Sequence, residues 1–110
     1  MSFVKVCAVD EIAPGAAVSA DIEGTEVAVV HAGDGNVYAI RDECSHESVA
    51  LSEGEIEDCT LECWLHGSRF DLRTGQPTGL PATEPVATFA VEIRDGDLYV
   101  STTPSNGVNP

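Results

Sequence analysis

The sequence has little positive charge. It contains 5 Lys and Arg residues against 19 Asp and Glu, which gives a formal net charge of −14. A surface of this sign repels nucleic-acid phosphates and anionic lipid, so it argues against nucleic-acid binding and membrane-surface functions. It favours a partner that presents a basic patch, although an acidic surface also serves solubility by itself.

Long apolar runs are absent as well. No stretch approaches the roughly 18 apolar residues that span a bilayer, and Met1-Ser2-Phe3-Val4-Lys5 does not begin a signal peptide. We therefore expect a cytoplasmic protein whose 4 cysteines are reduced thiols or metal ligands rather than disulfides. The sequence also lacks a Ser-His-Asp grouping and a phosphate-binding loop, so it does not predict an enzyme.

A sustained 3.6-residue apolar period is missing too, and this favours an all-β fold. The turn-prone stretches Gly33-Asp34-Gly35-Asn36 and Asp95-Gly96 each separate two β-prone segments, so we predict two hairpins. Short strands at close spacing are typical of a small sandwich or barrel. The predicted strands are Phe3–Val9, Glu26–His31, Val37–Ile40, Thr88–Ile93 and Asp97–Val100.

The length of 110 residues suits one domain, which we expect to span residues 1–102. Residues 103–110 are predicted to be a flexible tail, because the last ten residues are polar and contain two prolines. The region of about residues 42–85 is loop-rich, contains three of the four cysteines and is acidic. We interpret it as a functional insert on a β scaffold.

Two Cys-His pairs lie in that insert, as Cys44-x-His46 and Cys63-x-x-His66. Two Cys and two His suit a tetrahedral zinc, and they also suit a Rieske [2Fe–2S] cluster, in which two His replace two Cys on one iron. Zinc fingers usually keep the two Cys together, whereas each element here holds one Cys and one His. The spacing favours the cluster, and a zinc-stabilised interaction module is the alternative.

The sequence around these pairs resembles the Rieske family, and more closely its small ferredoxins that serve ring-hydroxylating oxygenase systems. The resemblance rests on Cys44-Ser45-His46, on residues 63–71, on Thr74-Gly75 and on the Pro-containing stretch 79–85. It implies a Rieske-type antiparallel β-sandwich with a small loop-rich cluster-binding subdomain inserted. Trp64 is a departure, because many relatives have Pro there. The implied ligands of one [2Fe–2S] cluster per chain are Cys44, His46, Cys63 and His66.

The resemblance also implies a function. A ferredoxin of this kind is a one-electron carrier and not an enzyme, and we expect a monomer. Its donor would be an NAD(P)H-dependent flavin reductase, and its acceptor a terminal oxygenase. The alternatives are a subunit of another redox assembly or an accessory to iron–sulfur cluster formation. Trp64, Leu65 and Pro81 are expected to frame an apolar docking tip near the two histidines.

A low reduction potential is predicted within the family range of about −150 to +300 mV. High-potential relatives carry a disulfide between the two cluster loops, and the corresponding positions here are Val49 and Leu65. Those relatives also have a Ser and a Tyr that donate hydrogen bonds to sulfur. Ser68 remains, but the Tyr position is Phe70. The acidic insert also opposes an added electron, although solvent screens most of its charge.

Other reactive residue types are not expected to bind the metal. We predict that Cys7 is a small buried hydrophobic residue in a strand, and that Cys59 is structural or incidental. His31 is predicted to lie at the rim of a strand. Arg69 and Arg73 are expected to pair with neighbouring carboxylates, each pair contributing little.

Overall fold

The computed structural model describes residues 3–32, 34–43, 50–57, 59–63, 67–78 and 84–108. In these ranges the secondary structure is antiparallel β, with two short 3-10 turns at Val9–Glu11 and Leu51–Glu53 and no α-helix. The same ranges hold no helix long and apolar enough to cross a membrane. The all-β prediction is confirmed. The strands are β1 (Phe3–Ala8), β2 (Ala17–Ile22), β3 (Thr25–His31), β4 (Val37–Arg41), β5 (Ile56–Glu57), β6 (Thr60–Glu62), β7 (Arg69–Asp71), β8 (Thr88–Arg94) and β9 (Asp97–Pro104).

The strands form two sheets. One has six strands in the order β1-β9-β8-β4-β3-β2, and the other has three in the order β5-β6-β7. Both predicted hairpins are present, as β3–β4 and β8–β9. Asp95 and Gly96 adopt φ values of 50° and 81°, which is the positive-φ pair that a tight two-residue hairpin turn requires.

Strand β3 is buried on both faces, because the large sheet has a core on each side. Val27 and Val29 face one core, and Ala28 and Val30 face the other, as the two-residue period of a strand dictates. The first core takes apolar residues from all six strands, so the sheet must curl around it. The second lies between the two sheets and contains Ala28, Val30, Ala32, Ile40, Leu51, Cys59, Leu61, Cys63, Phe70, Leu72 and Val86.

The edge strands β1 and β2 face each other across a cleft of about 470 Å³. Cys7 lines this cleft and is half-buried, which differs from the full burial expected of it. A register shift between Lys5 and Cys7 against β9 places Val6 and Cys7 together against the core, and the cleft on their other side leaves Cys7 partly exposed. Burial, and then the carboxylates of Glu11 and Asp97, raise the pKa of the Cys7 thiol.

The segment 103–110, for which a flexible tail is predicted, is described up to residue 108. Strand β9 continues to Pro104, which pairs with Phe89. The Ser105 N–H then donates to the Thr88 carbonyl oxygen at 2.7 Å, and Val108 packs against the first core. Hydrogen bonds hold much of this segment, and its polar composition does not indicate them.

Candidate functional site

Cys63 follows strand β6 and is fully buried, with 0% exposure, in the core between the two sheets. Its N–H donates to the Ser68 carbonyl oxygen at 2.6 Å, and its own carbonyl oxygen accepts from the Gly67 N–H at 2.9 Å. Gly67 has a φ of 78°, which glycine adopts without a steric penalty. These bonds close the β6–β7 connection, so the Cys63 sulfur is held at the base of a tight loop.

The other three predicted ligands, Cys44, His46 and His66, lie outside the described residues, as do Val49, Trp64, Leu65 and Pro81. Among the residues that are described, no group of three or more His, Cys, Asp or Glu is arranged to hold a metal ion. The four-ligand assignment therefore stays a prediction. These residues lie in three segments: 44–49, called the first segment below, 64–66 and 79–83. The structure does describe how the chain is anchored on either side of each segment.

The first segment is anchored by Asp42, which is 2% exposed. Its carboxylate accepts hydrogen bonds from the Ser52 N–H at 2.7 Å and from the Ser52 hydroxyl at 2.8 Å. The Asp42 N–H donates to the Glu26 carbonyl oxygen at 2.9 Å. A buried carboxylate with these partners ties the two ends of the segment to each other and to strand β3.

Gly54 follows the first segment in the chain and packs against the backbone of Glu62, the residue before Cys63. A Cβ at Gly54 would overlap the carbonyl oxygen of Glu62. The φ of Gly54 is −86°, which any residue adopts, so glycine is required here for close approach alone. The Glu62 N–H also donates to the Glu55 carbonyl oxygen at 2.8 Å.

The residues on either side of the segment 79–83 are also held by hydrogen bonds. Thr78 donates to the Arg69 carbonyl oxygen from its N–H at 2.8 Å and from its hydroxyl at 3.3 Å. On the other side, the Val86 N–H donates to the Gly75 carbonyl oxygen at 2.9 Å. Arg69 directly follows Ser68, so one flank of each of the three segments is held at or next to the β6–β7 loop.

The charged side chains around this loop are mostly acidic, and several of them form ion pairs with arginines. The Arg69 guanidinium lies 3.3 Å from a Glu62 carboxylate oxygen and 3.7 Å from one of Glu57, as predicted for this arginine. Arg41 and Glu43 form another pair at 3.3 Å, next to the first segment. These groups are partly exposed, so each pair contributes less than about 1 kcal/mol to stability.

A cluster of polar side chains at the other end of the β6–β7 hairpin was not predicted from the sequence. The Nε of Arg73 lies 3.2 Å from the Sγ of Cys59, which is 5% exposed, and that Sγ lies 3.8 Å from an Asp34 carboxylate oxygen. Arg73 was expected to pair with a carboxylate, but no described carboxylate lies within ion-pairing distance of its guanidinium. The register of the β6–β7 hairpin could have indicated this contact. Thr60 pairs with Asp71, so the residues beyond that pair, Cys59 before one strand and Leu72 and Arg73 after the other, lie close together.

Tyr38 joins this group from strand β4. Its hydroxyl donates to an Asp34 carboxylate oxygen at 2.7 Å. The Cys59 thiol and then the Asp34 carboxylate raise the pKa of Tyr38 to about 12. His31, at the end of β3, is half-buried with Nδ1 at 3.0 Å from the Ile12 carbonyl oxygen, which agrees with the predicted rim position.

Comparison with known proteins gives matches over most of the chain. The Rieske [2Fe–2S] domain matches residues 2–90. The 3-phenylpropionate/cinnamic acid dioxygenase ferredoxin subunit of Photorhabdus laumondii is 43% identical over 103 residues, covering 92% of this chain and 95% of the relative.

Solved structures are similar as well. The ferredoxin of carbazole 1,9a-dioxygenase from Nocardioides aromaticivorans IC177 has a TM-score of 0.88 and 38% identity, covering 94% of this chain and 100% of that one. A chain in the complex of reduced oxygenase and oxidized ferredoxin in carbazole 1,9a-dioxygenase has a TM-score of 0.87 and 36% identity, covering 94% and 95%.

Proposed function

The chain belongs to the Rieske [2Fe–2S] domain family, and from this premise we propose that it is the ferredoxin component of a ring-hydroxylating oxygenase system. In this role it carries one electron at a time and catalyses no reaction by itself. The observation that carries the proposal is the position of Cys63, whose buried side chain lies at the loop beside which one flank of each of the three segments is held.

The proposed ligands fit a [2Fe–2S] cluster. A fully buried thiol at the base of a hydrogen-bonded loop is a suitable sulfur donor, and Cys44 would supply the second one. His46 and His66 would supply nitrogen to the other iron, with one cluster per chain. When bound, the cluster accepts and releases single electrons. The chain's own contribution is to hold the two loops together through Asp42, Gly54 and Thr78.

The partners we propose are an NAD(P)H-dependent flavin reductase as donor and a terminal ring-hydroxylating oxygenase as acceptor. The similar ferredoxin whose structure was solved in complex with its oxygenase supports the second partner. The net charge of −14 favours partners with basic docking patches, and we propose that the free protein is a monomer. Trp64, Leu65 and Pro81 are proposed to contribute the apolar part of the docking surface.

A low reduction potential is part of the proposal. Phe70 is fully buried in the same core as Cys63, and it has no hydroxyl to donate to a sulfur. Glu62 and Glu57 share one arginine, Arg69, so negative charge exceeds positive charge beside the loop, which opposes the addition of an electron. Both features act in the direction of a low potential.

The test begins with the metal content of the purified protein. We expect iron and acid-labile sulfide in equal amounts, a Rieske-type EPR signal after reduction and a midpoint potential below zero. A colourless protein with one zinc per chain would overturn the proposal in favour of an interaction module. A midpoint potential well above zero would contradict the low-potential assignment.

The partner assignment needs a separate measurement. The protein is mixed with a flavin reductase and an oxygenase from a ring-hydroxylating system, and NADH-driven formation of hydroxylated product is followed. We expect product only when all three proteins are present. Normal cluster content with no transfer to any such oxygenase would favour a role in another redox assembly.

A further inference from the structure

Asn106 forms four hydrogen bonds from a segment that lies after the last strand. Its Nδ2 donates to the carbonyl oxygens of Thr74 at 3.0 Å and Val86 at 2.9 Å. Its Oδ1 accepts from the N–H groups of Thr88 and Val108, each at 3.2 Å. The side-chain amide therefore donates to two backbone carbonyl groups and accepts from two backbone N–H groups.

The two carbonyl groups that Asn106 joins lie on opposite sides of the segment 79–83. Thr74 precedes that segment and Val86 follows it, so the amide fixes the separation of the two flanking backbones. Gly75 makes this possible, because a Cβ there would overlap the Val86 carbonyl oxygen and would lie 2.9 Å from the Asn106 Nδ2. The geometry therefore has no space for a side chain between Asn106 and the backbones that it bridges.

Backbone hydrogen bonds continue from this point to Cys63. The Gly75 N–H donates to the Asp71 carbonyl oxygen at 2.7 Å, and the Asp71 N–H donates to the Gln76 carbonyl oxygen at 2.8 Å. The Thr78 N–H donates to the Arg69 carbonyl oxygen. The residue before Arg69 is Ser68, whose carbonyl oxygen accepts from the Cys63 N–H at 2.6 Å. A displacement of residues 74–78 would therefore be transmitted to the loop that contains Cys63.

We propose that Asn106 is a positioning residue for the redox site: it fixes the flanks of the segment 79–83 relative to the Cys63 loop and so adjusts the environment of the cluster. This inference rests on the proposed function. The Rieske domain match ends at residue 90, so Asn106 lies outside the part of the chain that the family match covers. The C-terminal segment thus contributes to the site although it follows the matched domain.

The variants Asn106→Ala and Asn106→Leu test the proposal in the full-length holoprotein. Both remove the amide donors, and neither adds a charge that would shift the potential directly. Asn36→Ala is the matched control, because the Asn36 amide bonds locally, to Asp34 at 3.4 Å, in the β3–β4 turn. The measurements, made at equal iron content, are the EPR g-values, the visible circular dichroism of the cluster and the midpoint potential.

We expect both Asn106 variants to change the EPR and dichroism signatures and to shift the potential, while Asn36→Ala retains the wild-type values. A purely structural role would lower stability and leave all three cluster signatures unchanged. Wild-type signatures in loaded Asn106→Leu would overturn the proposal. If Asn106→Ala fails to load, Asn106→Ser, which keeps a short hydroxyl donor, is measured in the same way.

Amide hydrogen exchange gives a readout that does not depend on the cluster. Loss of the two donated bonds should speed exchange in peptides covering residues 69–78 and 84–91 by about tenfold, and leave strands β2 and β3 unchanged. Unchanged exchange at residues 69–78 would also overturn the inference. If the wild-type protein holds no iron and sulfide, the proposed function fails, yet the exchange experiment still decides whether Asn106 fixes these backbones.

Discussion

Cys59 and Cys63 lie at opposite ends of strand β6, and both face the core between the two sheets. Their positions differ by four residues, so the two-residue period of a strand places both side chains on the same face. Their polar surroundings differ. Cys63 begins the loop that Ser68 and Gly67 close, whereas the Cys59 sulfur lies 3.2 Å from the Arg73 guanidinium.

This difference predicts opposite effects for substitution of the two cysteines. Cys63→Ala should abolish iron and sulfide incorporation, because it removes a proposed ligand. Cys59→Ala should retain both at the wild-type level and lower the free energy of unfolding by about 1–3 kcal/mol, since Arg73 and Tyr38 lose a partner. Metal analysis and urea denaturation of the two variants provide the measurement.

Cys7→Ala is the matched control, because Cys7 is half-buried on the far edge strand and contacts neither group. It should keep its iron and lose less stability than Cys59→Ala. Loss of iron in Cys59→Ala at a normal content of folded protein would mean that Cys59 takes part in holding the cluster.

The raised pKa of Tyr38 predicts a loss of stability at alkaline pH. Its pKa of about 12 in the folded protein exceeds its ordinary value of 10.0, so the unfolded chain releases the proton first. The stabilisation is fully present below about pH 10 and is lost as the pH rises through about 12. Urea denaturation at about pH 9 and about pH 11.5 should show a larger decrease for the wild type than for Tyr38→Phe.

Absorbance titration of tyrosinate checks the assignment independently. The difference between the wild-type and Tyr38→Phe titrations should give a transition near pH 12. Asp34→Asn should lower the pH of that transition, because it replaces the charged carboxylate that accepts a hydrogen bond from the Tyr38 hydroxyl with a neutral amide. A difference titration centred on pH 10 would contradict the network that the structure describes.

Gly54→Ala should destabilise the protein because the added methyl group overlaps the Glu62 carbonyl oxygen. The obstacle is backbone, so relief requires movement of strand β6 or of the first segment, at a cost of about 3 kcal/mol or more. Since Glu62 precedes Cys63, cluster loading should fall as well. Thermal denaturation and iron content are the measurements.

Gly15→Ala separates this steric effect from the general cost of replacing a glycine. Gly15 has a φ of 81° and open space where an added Cβ would lie, so its substitution carries only a backbone penalty of about 1–2 kcal/mol. Its cluster loading should equal that of the wild type. Equal loss of iron in the two variants would argue against the Gly54–Glu62 contact as the cause.

The β scaffold was predictable because local rules determine it. Alternating apolar residues and the Asp95-Gly96 turn were sufficient for the β8–β9 hairpin, and the continuous apolar run in β3 reflects burial on both faces. The Cys-His spacing likewise predicted the family, since the ligand pattern is itself local.

The anchors around the site could not be predicted, because each joins residues that are distant in sequence. Asn106 bonds to Thr74 and Val86, which lie 32 and 20 positions earlier, and its surroundings in the sequence are polar and rich in turn residues. Gly54 similarly shows no local turn requirement, and its need for close approach to Glu62 depends on the tertiary structure. Composition reports the tendency of a segment to be disordered, but it does not report long-range hydrogen bonds.

Phe70→Tyr should raise the reduction potential. Phe70 is fully buried in the same core as Cys63. The family resemblance implies that a hydroxyl at this position donates to a ligand sulfur. A hydrogen bond that favours the reduced state by about 1 kcal/mol corresponds to about 40 mV for one electron. Phe89→Tyr is the matched control, because Phe89 is 5% exposed and lies in the other core. Redox titration of both variants should show a rise for Phe70→Tyr alone, and an equal shift in the two would assign the change to altered packing instead of a bond to sulfur.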